Sequence, residues 1–183
     1  MSQSSYTPQY HELFRQIVDS YLKSREPVGQ VVQKNLKKFA GSGVQDDDFK
    51  LFVRRCVQYV FDICENELKL INRFFVGGPI LKQYPDLSSW NTYGKYTEKL
   101  EQNRLSHIKS LYTFLTSYLG TGDLHRICDL INWLELTYLD SSDGDEDPDI
   151  PQEHGAVAQF LLSEYLWPLS DTLFSKSFCC LIS

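Results

Sequence analysis

DDDFKLFVRRCVQYVFDICENELKLINRFF, residues 46–75, is the stretch whose reading decides the fold. Phe49, Phe52, Val53, Cys56, Val57, Val60, Phe61, Cys64, Leu68, Ile71, Phe74 and Phe75 recur at steps of three and four, the spacing of one apolar helical face. Asp46–Asp48 stand where carboxylates cap a helix and complement its N-terminal dipole. The stretch therefore predicts one long helix, the spine of whatever the chain builds. VGGP at 76–79 stops it, and YPDLSSWNTYG at 84–94 gathers turn residues around Trp90.

On the N-terminal side, Tyr10, Leu13, Phe14, Ile17, Val18, Tyr21 and Leu22 form the stripe of a helix ending near Arg25. Pro27 suits the first turn of a second helix, whose stripe is Val28, Val31, Val32, Leu36 and Phe39. AGSG at 40–43 closes it, because glycine tolerates the left-handed backbone of a helix end. On the C-terminal side a fourth helix runs from Thr92 or Lys95 to Leu119, with Leu100, Leu105, Ile108, Leu111, Tyr112 and Leu115 inward. Asp123 opens a fifth, carrying Leu124, Ile127, Cys128, Leu130, Ile131, Leu134 and Leu136. Gln152–Phe178 gives a last helix, with Pro168 as a kink. No run alternates with period two, and no unit repeats at a fixed period. The expected fold is all-α, an elongated bundle of about six amphipathic helices. Residues 1–9 are expected to be disordered, 10–178 to form the helical domain with an acidic mobile loop at 140–151, and 179–183 to form a short tail.

The net charge of −6 is concentrated in DSSDGDEDPD, residues 140–149; setting it aside leaves 18 acidic residues against 18 basic. A body so balanced lacks the basic excess of a nucleic-acid binder. No run of about 18 uncharged apolar residues spans a membrane, and the opening residues carry neither a secretory pattern nor a myristoylation glycine. The five cysteines, 56, 64, 128, 179 and 180, are odd in number and sit mainly in apolar helical patterns, so they read as reduced, buried thiols of a cytosolic protein.

The sequence carries no recognisable catalytic or metal signature. Cys56 and Cys64 share the apolar stripe, and His125 and Cys128 have no second pair at zinc spacing, so core packing is preferred to a metal centre. Calcium-loop frames starting at Asp143 or Asp145 fail at the required glycine and glutamate. Ser-x-x-Lys occurs at 20–23 and 106–109 without its companion motifs, and phosphate-cradling or nucleophile-elbow glycine patterns are missing. Neither catalytic residues nor a cofactor are expected. What remains is surface for other proteins, with Trp90, Trp133 and Trp167 either anchors or core.

Three segments carry a family resemblance: LFRQIVDSYLKSREPV (13–28), VRRCVQYVFDICENELKLINRFF (53–75) and LTSYLGTGDLHRICDLINWLELTYL (115–139). In this order, with Cys64, Glu65, Glu67, Phe74, Phe75 and Cys128 at matching places and the acidic insert after them, they resemble subunit 3 of the conserved oligomeric Golgi complex. The resemblance covers about residues 10–178. It implies a peripheral, cytoplasmic-side Golgi protein without enzymatic activity, acting in vesicle tethering during retrograde and intra-Golgi transport. The implied partners are other tethering-complex subunits, fusion-machinery proteins and small GTPases. Relatives are several times longer and begin with coiled-coil segments, so the chain is expected to be a fragment or a divergent short form. The alternative comes from FCCLIS, 178–183: Cys180-Leu181-Ile182-Ser183 fits a prenylation signal, with Cys179 available for a second lipid.

Overall fold

The computed structural model describes residues 7–41, 49–76, 91–119, 123–140 and 152–182. All the described secondary structure is helical, in five continuous stretches. They are α1 (Thr7–Ala40), α2 (Phe49–Ile71, prolonged by a wide π turn at Asn72–Val76) and α3 (Asn91–Leu119). After these come α4 (Leu124–Leu134, prolonged by a π turn at Glu135–Leu139) and α5 (Gln152–Ile182, with a π turn at Leu162–Leu166). Asp46–Asp48, Trp90 with its loop, and residues 141–151 lie outside the described residues.

The division of residues 10–40 into two helices is corrected: α1 passes straight through Pro27. Proline removes one hydrogen bond, to the carbonyl of Lys23. Lys23 and Pro27 are both exposed, on the side of α1 where the freed carbonyl is accessible to solvent hydrogen bonding, so the interruption should cost little. The glycine stop is where the spacing put it. Gly41 adopts φ 55°, and its N–H donates to the Lys38 carbonyl at 3.2 Å. Asp123 caps α4, accepting from the Arg126 backbone N–H at 3.1 Å. Instead of a simple kink at Pro168, α5 widens into the π turn just before it, where the Trp167 N–H reaches back to the Leu162 carbonyl. The helix continues past Phe178 to Ile182.

Contacts between helices set their directions. Phe14 meets Phe75, Tyr21 meets Glu67 and Asn35 meets Tyr59, so α1 and α2 are antiparallel. Phe52 meets Phe114 and Tyr118 while Cys64 meets Arg104, so α2 and α3 are antiparallel too, and α1 runs alongside α3. At 34 residues, α1 is about 51 Å long, which makes the bundle elongated. It is the longest helix, but α2 is the spine. Phe52, Val53, Cys56, Val57, Val60, Phe61 and Cys64 are all buried, and α2 packs on α1, α3 and α5.

The apolar residues form two clusters. The larger joins the C-terminal half of α1 (Val32, Leu36, Ala40), most of α2, the second half of α3, and α4 with α5. The smaller joins Val18 of α1, Ile71 and Phe75 from the end of α2, and Tyr96 and Leu100 of α3. Each fully buried Leu or Phe contributes about 1.5–3 kcal/mol. Some members of the stripes face outward instead. Leu13, Val31, Phe74, Leu136 and Phe174 are more than half exposed, and Ile17 is 40% exposed. Phe74 and Phe75 are adjacent, so the turn that buries one presents the other to solvent. Cys128, expected to be buried, is exposed, because α4 buries Ile127, Leu130 and Leu134 and turns the cysteine away.

Candidate functional site

Glu67, the buried charge among the motif residues of α2, sits in a polar layer between the two apolar clusters. Glu67 is 2% exposed, one turn beyond Cys64 on the buried face. Arg25 of α1 answers its charge, Nε donating to Oε1 at 2.9 Å and Nη2 donating to the same oxygen, while the Tyr21 hydroxyl donates to Oε2 at 3.1 Å. Burial, reinforced by the neighbouring carboxylate, pushes the Tyr21 phenol up to about 12, so it remains a donor. The α3 side of the layer holds His107, 3% exposed, and Arg104, 6% exposed. Arg104 is paired with Glu101 through Nε at 2.8 Å. The Cys64 thiol donates to the Arg104 carbonyl at 3.6 Å. Burial pushes both Cys56 and Cys64 up to about 12, which keeps them unreactive thiols. Glu67, Cys64 and Phe75 are therefore structural positions, whereas Phe74 and Cys128 face outward.

A groove of about 210 Å³ opens between the start of α2 and α4. Phe49, Val53, Leu130 and Trp133 line it, with the exposed Leu136 at its edge. Two guanidinium groups lie over its rings, Arg54 5.2 Å from the centroid of Trp133 and Arg126 4.4 Å from that of Phe49. Lys50 and Asp129 bridge the two helices at 2.9 Å, and this pairing holds the Asp129 carboxyl below its ordinary range. Arg126 is itself paired with Asp123, Nε to Oδ2 at 2.9 Å, so the groove is apolar at its floor, with paired charges and Arg54 around it. Trp133 is half-buried here. Trp167 is 37% exposed on α5, and Trp90 lies outside the described residues.

Glu65, the remaining acidic motif residue, is pulled two ways. One carboxylate oxygen pairs with Lys69 at 2.5 Å, and the other lies 3.5 Å from Nε2 of His154. Asp62 approaches the same nitrogen, making this the one described place where three metal-ligating side chains converge. Cys179 and Cys180 belong to the last turns of α5, so a prenyl-transfer pocket, which takes an extended tail, would require those turns to unwind.

The family described as Conserved oligomeric Golgi complex subunit 3, C-terminal, matches residues 1–176. The chain belongs to that family. Membership places it with the subunits of a Golgi vesicle-tethering complex, and no described helix is long and apolar enough to cross a membrane. No curated protein and no solved structure matches the chain.

The subunit 3 resemblance singled out Glu67 but not its partners. Its signal was available: a glutamate in phase with Val60, Cys64 and Ile71 must find a counter-charge, and Arg25 stands in phase with Val18 and Tyr21 on α1. His107 and His154 announced themselves less. A histidine on a helical stripe is common, and only the packing of α3 and α5 against α2 shows which neighbours it meets.

Proposed function

We propose that this chain is a non-enzymatic interaction scaffold within the tethering complex, presenting helical faces to other subunits. The carrying observation is the family match over residues 1–176, joined to apolar side chains that the helices leave uncovered. Among the described faces the α2–α4 groove has the best chemistry for a partner. Its aromatic floor suits the apolar side of an amphipathic helix, and Arg54 over Trp133 favours an acidic residue flanking that side. The occupant we assign is such a segment of another tethering subunit. Fusion-machinery proteins and small GTPases, which the family resemblance implies, would engage other surfaces. Association with the Golgi membrane would be peripheral and through these partners.

Arg54 and Leu136 are exposed, so Arg54→Glu with Leu136→Asp should keep the fold, lowering stability by no more than about 1 kcal/mol through the lost contact of Arg54 with Trp133. Co-purified with the other subunits, the variant should lose at least one of them, with affinity weakened about tenfold or more. Retention of every subunit by the doubly substituted chain removes the groove from the proposal. Failure of the unsubstituted chain to recover any subunit removes the proposal itself.

A further inference from the structure

At its start, α5 lays His154 against the middle of α2. The residue is 5% exposed and its Nε2 has no hydrogen-bond partner, although it lies 3.5 Å from Asp62 Oδ1 and 3.5 Å from Glu65 Oε2. These separations exceed the roughly 2.7–3.2 Å of an N–H···O bond. Leaving a buried nitrogen in this state is unfavourable, so something should complete it. Asp62 and Glu65 are three residues apart on α2 and project from one side of it. All three ligand atoms lie within 4.8 Å of one another. Phe61 and Tyr138 wall the imidazole, with ring centroids at 5.7 and 6.0 Å, and Lys69 holds the far oxygen of Glu65.

We propose that Asp62, Glu65 and His154 bind a borderline divalent cation of the Zn²⁺ type, with water completing the coordination. Bonds of about 2.0–2.2 Å arranged tetrahedrally place neighbouring ligand atoms about 3.3–3.6 Å apart, the separation found from Nε2 to each carboxylate. The imidazole favours Zn²⁺ over Mg²⁺ and Ca²⁺, which prefer all-oxygen shells with more ligands. Three protein ligands and an open side describe a site that a water molecule or a partner's side chain can finish. The ion links α5 to α2 across some 90 positions of sequence, and so ties the last helix to the spine. Neither the spacing of His154 in the sequence nor that of the two carboxylates discloses this, because the third ligand comes from another helix.

The test strips the full chain with a chelator and titrates it with Zn²⁺ alone, then with Co²⁺, Mg²⁺ and Ca²⁺. One Zn²⁺ per chain should bind, Co²⁺ should develop the visible absorption of a low-coordinate N/O site, and Mg²⁺ and Ca²⁺ at equal concentration should not displace it. Asp62 is 62% exposed, so Asp62→Asn keeps the fold. That variant should bind Zn²⁺ at least about tenfold more weakly, since even loss of an outer partner costs about 10–100-fold. His154→Gln should abolish the Co²⁺ absorption. The proposal is overturned if no stoichiometric Zn²⁺ binds, or if Asp62→Asn binds it unchanged, which would put the ion on the acidic segment or at the exposed His125 and Cys128. Should His154→Gln fail to fold, the Asp62→Asn titration decides alone.

Discussion

Burial of His107 should couple the protonation of a single ring to the stability of the whole helix pack. It is 3% exposed with neither ring nitrogen hydrogen-bonded. Burial lowers its pKa from 6.5; Glu67 opposes that shift and Arg25 adds to it. The unfolded chain therefore binds more protons than the folded one between the lowered value and 6.5, and stability is lost as pH falls through that window. The melting temperature should accordingly drop more from about pH 7.5 to about pH 5.5 in the natural chain than in His107→Phe, which fills the ring's space and cannot charge. Equal drops would mean that His107 is not titrating with unfolding. Chemistry at the cysteines should divide as sharply. Cys56 and Cys64, their thiols raised to about 12, should resist alkylation in the folded protein, while Cys128 reacts.

Between elements, the Arg25–Glu67 pair is what joins α1 to α2 through charge. Arg25→Met leaves a carboxylate that is 2% exposed without its counter-charge and should cost about 3 kcal/mol, toward the low end for a broken buried pair because Arg25 itself is partly exposed. Adding Glu67→Leu should return most of the loss, and urea unfolding of the two variants measures both steps. A double variant no more stable than the single one would show that shape, not charge, made the difference. At this scale α2 was the easiest element to read. An unbroken period over Phe49–Ile71 leaves no other conformation in which Phe52, Val53, Cys56, Val57, Val60 and Phe61 are buried together. At Pro27 local propensity points to a joint, but the stripe that continues on both sides of it, from Val18 to Val32 and Leu36, prevails and keeps α1 whole. The outward turn of Leu13, Ile17 and Val31 was not legible either. An apolar stripe records which face a helix can bury, and only its neighbours decide how much of that face is covered. The Asp62–Glu65–His154 cluster was hidden for a similar reason, since two of its members are ordinary surface carboxylates until α5 packs against them.

Across the whole molecule, the two apolar clusters differ greatly in size, and their stabilities should differ with them. The smaller rests on Val18, Ile71, Phe75, Tyr96 and Leu100, with Phe14, Tyr21 and Leu22 against it. It should open without the rest, so amides at 71–75 and 96–103 should exchange hydrogen faster than those at 52–64 and 108–119. Uniform protection would make the bundle one cooperative unit. The all-α class could be read from periodicity alone, but not the unbroken run of α1 through Pro27 nor the alignment of α1 with α3, which depends on contacts between residues far apart in the chain. Helices whose facing sides are apolar along their whole length can slip past one another by a turn, about 5.4 Å, exchanging one Leu for the next. Here a slip of α1 by a turn would put Tyr21 or Gly29 where Arg25 meets Glu67 and break their paired geometry, so the charged layer acts as an index mark that favours one alignment. From that mark to the mouth of the groove at Phe49 is 18 residues of continuous helix, about 27 Å. A continuous helix of that length works as a ruler: every copy of the protein holds the groove at the same distance from the charged layer.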